Sequence, residues 1–244
     1  MHASASQPLV KAVLWDMDGT LVDTEPYWIA AERFLVESFG GIWTHEQAMQ
    51  LVGQSLMHSA GILQAAGVNM DKRDIVDTLS AQVIDRIRVE VPWRPGAREL
   101  LDELHKAGIR CALVTMSEGP MAREVVANLA KPYFEFLVTG DMVSRGKPDP
   151  EAYLTAVERL RMSDTEVTVD NCVALEDSIP GVAAALASGV VTVGIPHQMP
   201  LPGDDRRATW PSLLGRRVAD LEALVAARVG GVTPLASLAG GQVK

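Results

Sequence analysis

Five short apolar runs punctuate the chain: Leu9 to Trp15, Ile109 to Val114, Phe136 to Thr139, Cys172 to Leu175, and Val190 to Ile195. Each is bounded by turn or polar residues, and none alternates apolar with polar. That is the pattern of strands buried on both faces of a parallel sheet. Between the runs, apolar positions recur at helical spacing. Pro95 stands in the first turn of one helix, whose apolar face is Ala97, Leu100, Leu101 and Leu104 and which Gly108 stops. Asp149 caps another, with Pro150 next and Ala152, Tyr153, Ala156, Val157 and Leu160 on one face. A third runs from Ile179 to Ser188 and ends at Gly189. Strand and helix alternating in this way predict an α/β fold, a doubly wound, Rossmann-like parallel sheet.

About ninety residues between the first and second runs break the alternation. From Asp23 to Trp93 helical periodicity persists without strand signal, clearest over Glu25 to Phe39 and Ile75 to Val89, weaker over Ser55 to Ala66. A crossover needs only one helix. The sequence therefore predicts an inserted α-helical cap domain over residues 23–93, set on an α/β core of residues 9–22 and 94–230. A lobe inserted after the first strand stands over the carboxyl ends of the strands, where such sheets bind ligands. Residues 231–244 show no periodicity and are expected to form a disordered tail.

The 244 residues fit one large or two unequal domains, and 48% apolar with 22% charged residues is ordinary globular usage. The formal net charge of −9 argues against wrapping nucleic acid or sitting on anionic lipid. Cys111 and Cys172 are too few for a disulfide framework or a structural zinc site, and both sit in apolar runs. Met1 to Pro8 has no secretory pattern. Ser178 to Gly203 carries no Asp, Glu, Lys or Arg, yet its prolines and glycines break it into a short helix and a buried strand rather than a membrane span. A cytoplasmic protein, monomeric or weakly dimeric, is expected.

Candidate chemistry gathers at the ends of the predicted strands. Trp15-Asp16-Met17-Asp18-Gly19-Thr20 follows the first, Val114-Thr115-Met116-Ser117 ends the second, and Ala174-Leu175-Glu176-Asp177-Ser178 ends the fourth. Gly146-Lys147-Pro148-Asp149-Pro150 precedes a helix; a phosphate-cradling P-loop is excluded there, since Gly140 is one residue too early and Pro148 replaces the required hydroxyl. Four acids and a lysine at successive strand ends would converge on one crevice.

The order D-M-D-G-T, T-M-S, G-K-P, L-E-D-S resembles the haloacid dehalogenase superfamily of phosphotransferases, specifically members with a helical cap, of the β-phosphoglucomutase and sugar-phosphatase kind. The resemblance spans about Val10 to Ile195. It implies that Asp16 is the nucleophile and Asp18 the general acid and base. It implies that Thr115, Lys147 and the Met116 amide hold the phosphoryl oxygens. The Asp16 carboxylate, the Asp18 carbonyl, Glu176 and Asp177 would bind Mg²⁺. A small phosphorylated metabolite, a sugar phosphate in particular, is the implied substrate, and Mg²⁺-dependent phosphomonoester hydrolysis through an aspartyl phosphate the implied reaction.

Electrostatics points the same way. Two like charges 4 Å apart cost on the order of 4 kcal/mol at an effective dielectric of 20, so four carboxylates cannot receive a phosphate without a cation. A hard divalent ion suits all-oxygen ligation, and Lys147 adds a point charge.

Three rivals remain in view. Mutases of the β-phosphoglucomutase type resemble one another in a cap arginine, a lysine after the second motif and a histidine near the first. Leu56, Glu118 and Trp28 stand at those positions here, and Glu118 is expected to repel a distal phosphate. A dehalogenase needs neither metal nor second aspartate. A phospho-accepting signalling domain is half this length and has its acidic pair before, not after, the phosphorylated aspartate. Among the remaining residues, Gly53, Ser55 and His58 lie in a loop able to face substrate, while Trp28 and Trp93 are read as hinge packing. Arg206, Arg207, Arg216 and Arg217 are read as solvated surface.

Overall fold

In a computed structural model that describes residues 9–231, the sheet has six parallel strands: β1 (Ala12–Trp15), β2 (Arg110–Val114), β3 (Phe136–Val138), β4 (Cys172–Glu176), β5 (Val191–Gly194) and β6 (Ala208–Thr209). Their order is β3-β2-β1-β4-β5-β6. The chain winds outward from β1 through β2 to β3, then crosses back to β4 on the other side of β1. That reversal opens a crevice at the carboxyl ends of β1 and β4.

Helices α1 (Glu25–Ser38), α2 (His45–Met49), α3 (Leu56–Ala65) and α4 (Lys72–Val89) fill the stretch after β1. Helix α5 (Ala97–Lys106) leads into β2, and α6 (Gly119–Ala127) joins β2 to β3. Helix α7 (Glu151–Arg161) precedes β4, α8 (Ile179–Ser188) joins β4 to β5, and α9 (Val218–Val229) follows β6.

All four residues of β1 are buried, which explains its unbroken apolar character. Ala12 and Leu14 face one layer, with Tyr153, Ala156 and Leu160 of α7 and Ala184 and Ala185 of α8. Val13 and Trp15 face the other, with Leu100, Leu101 and Leu104 of α5 and Leu221 and Leu224 of α9. Helices thus cover both faces. The connections to and from α1–α4 run side by side: Val22 bridges Trp93, the Asp23 amide donates to the Pro92 carbonyl at 2.8 Å, and the Arg94 amide to the Leu21 carbonyl at 2.9 Å.

The structure adds elements to these expectations, agrees with some and corrects others. Strand β6 is only two residues long and leaves no period to read. Helix α2 is one five-residue turn held by a Thr44–Gln47 capping box. Helix α6 begins at Gly119-Pro120, in a stretch with no predicted element, and buries Met121, Ala122 and Val125. Pro95 lies in the turn before α5, whose N-cap is Gly96 at φ 83°. Asp149 sits outside α7, whose N-cap is Pro150, but its Oδ1 still accepts from the Glu151 amide at 3.0 Å. Arg207 is 2% exposed rather than solvated. The segment from Ser178 on forms α8 and β5, and among the described residues no helix is long and apolar enough to cross a membrane. Both cysteines are buried, and burial pushes each thiol up to about 12. The expected tail, Gly231 apart, lies outside the described residues.

Candidate active site

Sheet register explains why distant motifs meet. Trp15 pairs with Leu113 of β2 and Leu175 of β4, so Asp16, one residue on, is level with Val114 and Glu176. The Asp16 amide donates to the Leu175 carbonyl at 3.0 Å. Thr115 stands one step beyond β2, its own amide bound to the Val138 carbonyl at 2.9 Å. Lys147 arrives from the loop before α7, its amide donating to the Met116 sulfur at 3.3 Å.

The Lys147 ammonium uses all three of its protons. It donates to Asp16 Oδ1 at 2.7 Å, Glu176 Oε1 at 2.5 Å and the Val114 carbonyl at 2.9 Å. Burial opposes its charge, but Asp16 and Glu176 outweigh burial and hold it above the ordinary lysine range. Glu176 is fully buried and also accepts from the Tyr153 hydroxyl at 2.7 Å and the Ser178 hydroxyl at 3.3 Å. Asp177 instead faces the cavity. Two glycines make room for the acids: a Cβ at Gly19, which has φ +88°, would overlap the Asp177 carboxylate, and one at Gly181 the Glu176 carboxylate.

Asp16, Glu176 and Asp177 each offer an oxygen within 4.8 Å of the others. Burial first, then mutual repulsion, raises Asp16 and Asp177 above the ordinary carboxylate range. One ammonium does not balance three carboxylates, two of them buried and the third half-buried. A hard divalent cation with oxygen ligands fits both the surplus charge and the donor set.

The Asp18 side chain lies outside that cluster. Its Oδ2 accepts from Ser117 at 2.6 Å and Thr115 at 3.4 Å, and its Oδ1 from Thr24. Burial raises Asp18 and the three hydroxyls oppose the shift. Sequence alone assigns Ser117 no more than its place in the T-M-S motif, and it does not point to Thr24. Thr24 occupies the N-cap of α1, where its hydroxyl would ordinarily close the helix, yet it makes no capping bond and serves Asp18 instead.

Above this floor lies a cavity of about 440 Å³, lined by Asp16, Asp18, Thr115, Met116, Lys147 and Asp177 from the sheet side and roofed by α1, α3, α4 and the Leu51–Ser55 loop. Gly53 and Ser55 line it; His58 does not. Trp28 also lines it, so the expectation of pure hinge packing is corrected for that residue. Trp93 stays at the connection, under the Arg98 guanidinium at 5.7 Å. Glu118 lines the cavity as well, but its expected repulsion of a phosphate is offset: Arg73 of α4 donates to both its oxygens, at 2.6 and 2.9 Å.

A model of the haloacid dehalogenase-like hydrolases matches residues 10–189. The chain belongs to that family. A phosphorylated carbohydrates phosphatase of Thermotoga maritima is 34% identical over 196 residues, covering 78% of this chain and 87% of that protein. Hexitol phosphatase A of Escherichia coli K12 is 33% identical over 203 residues, 78% and 86% of the two chains. Among solved structures, CbbY of Rhodobacter sphaeroides in complex with phosphate superposes with a TM-score of 0.74 at 26% identity, covering 87% of this chain and 99% of that one. The protein is thus a hydrolase of the haloacid dehalogenase type with named phosphatases among its relatives.

Proposed function

We propose that the protein is a Mg²⁺-dependent phosphomonoester hydrolase that takes a small phosphorylated metabolite, a sugar phosphate, through an aspartyl phosphate on Asp16. The observation that carries this reading is the convergence of Asp16, Lys147, Glu176 and Asp177 at the ends of β1 and β4, with Asp18 beside them in a roofed cavity. Mg²⁺, held by Asp16, Asp177, the Asp18 carbonyl and Glu176, would supply the positive charge that lets a carboxylate approach a phosphate dianion. Glu176 would contribute to holding the ion while anchoring Lys147 and accepting from Tyr153 and Ser178.

The rest falls to the chain's own groups. An Asp16 oxygen attacks phosphorus, and the ester oxygen leaves with the proton of Asp18. Burial favours the protonated Asp18 that this step needs. Asp18 then takes a proton from water, the resulting hydroxide attacks phosphorus, and the Asp16 carboxylate departs. Thr115, the Met116 amide and Lys147 hold the phosphoryl oxygens. The insert of α1–α4 serves as a cap that excludes water in the first step and admits it in the second.

The mutase alternative is weakened because Leu56, Glu118 and Trp28 all line the cavity and none is a cation. The test is phosphate release from sugar phosphates, nucleotides and phosphoglycolate, with Mg²⁺ and with chelator. Release from a sugar phosphate that chelator stops is expected; isomerised product without free phosphate would establish the mutase instead.

A further inference from the structure

Helix α1 presents Glu25, Trp28 and Glu32 to the cavity, at spacings of three and four that place them on one face. Among the described residues Glu25 has no hydrogen-bond or ion-pair partner. Glu32 is 5% exposed and has one bond, from the Trp43 indole N–H at 3.2 Å to Oε2; its Oε1 has none. Burial raises Glu25 to about 7 and Glu32 to about 8. Glu25 is half-buried and Glu32 buried, and a carboxyl oxygen left without a protein partner on a cavity wall is open to a donor from a ligand.

Charge on the walls restricts what that ligand carries. Lys147 is the sole lysine or arginine among the described lining residues, and it belongs to the floor. Arg73 approaches the rim but is taken up by Glu118 and Asp77. A second phosphate or a carboxylate on the substrate would meet these carboxyl groups and no lysine or arginine. Hydroxyls fit, since each donates to a carboxyl oxygen and their carbon chain can lie against the Trp28 indole.

We infer that the Glu25–Trp28–Glu32 face of α1 is the subsite for the uncharged, polyhydroxylated part of a monophosphate ester, and that it selects such esters over bisphosphates and over esters bearing a carboxylate. The inference rests on the hydrolase reading above and assigns specificity to residues that take no part in phosphoryl transfer. A site built to bind hydroxyls rejects an analogue that lacks them, because its buried polar groups are then left unpaired.

The test is kcat/KM for a hexitol monophosphate, a hexose bisphosphate and phenyl phosphate. The wild type is expected to prefer the hexitol monophosphate to the bisphosphate by roughly 100-fold. Glu25→Leu is expected to lower the ratio of hexitol phosphate to phenyl phosphate by about tenfold, and Glu25→Arg to narrow the gap to the bisphosphate by a similar factor. Glu32→Gln, which keeps an acceptor for Trp43, is expected to shift the first ratio in the same direction. A bisphosphate hydrolysed as well as the monophosphate, or a ratio that Glu25→Leu leaves unchanged, overturns the inference. Calorimetric binding of the same compounds to the Asp16→Asn protein separates the two readings. If the wild type releases phosphate from none of them, the hydrolase reading fails. Weaker hexitol phosphate binding in the Glu25→Leu, Asp16→Asn double variant would then still support the subsite, and unchanged binding would remove it.

Discussion

At the floor of the cavity Asp16 and Glu176 share the Lys147 ammonium, Glu176 takes two further hydroxyls, and Asp18 takes three. At the roof, Glu25 and Glu32 have between them a single bond, from Trp43. The floor holds its charges in fixed positions, as a phosphoryl-transfer site must, because preorganised groups need no rearrangement as the reaction proceeds. The roof leaves its polar atoms open, as a binding surface does. One cavity thus joins a rigid chemical half to a receptive half, on two parts of the chain that pack together through α4 and α6.

Perturbing the floor is expected to have the largest effects. Asp16→Asn should lower turnover by at least roughly 10³-fold while leaving the circular dichroism spectrum intact, since it removes the attacking oxygen and little volume. Lys147→Met should cost on the order of 3 kcal/mol of stability, read from denaturant unfolding, because Asp16 and Glu176 lose their buried counter-charge. Tyr153→Phe removes one buried hydroxyl from Glu176 and should cost about 2 kcal/mol by the same measurement.

The roof should answer to pH instead. Burial raises Glu32 to about 8, above an unfolded value near 4.5. The folded state therefore retains a proton that the unfolded state has lost, and this contribution to stability is full below pH 4.5 and fades as pH rises to about 8. Glu32→Gln carries no such penalty, so its Tm should gain on the wild type as pH rises from 5 to 9, by a few degrees. A difference independent of pH would place Glu32 in water. Arg73→Ala, at the exposed rim, should change stability by less than about 1 kcal/mol.

The floor was largely legible in the sequence because its acids are neighbours in the chain. Asp16 and Asp18 stand two apart, Glu176 and Asp177 are adjacent, and unbroken apolar runs precede both pairs. The doubly wound sheet was legible for the same reason, through strands buried on both sides. What escaped depends on contacts between distant residues. Tyr153 reads as part of the apolar face of α7, and its ring does lie in that core; only its hydroxyl, reaching Glu176, betrays a second role. Thr24 carries no signal of its own in the sequence, and Ser117 stands where a loop begins. Glu25, Trp28 and Glu32 share a helix face, but periodicity alone does not say whether that face meets water, a core or a cavity.

The most direct measurement uses the Asp18→Asn protein, Mg²⁺ and an aryl phosphate whose leaving group needs no proton. Asp16 should still attack, while hydrolysis of the product stalls for want of a base. Rapid quenching followed by peptide mass analysis is expected to find one phosphoryl group on the peptide that contains Asp16. Aryl alcohol released without any phosphorylated peptide, or a phosphoryl group on another residue, would contradict the account.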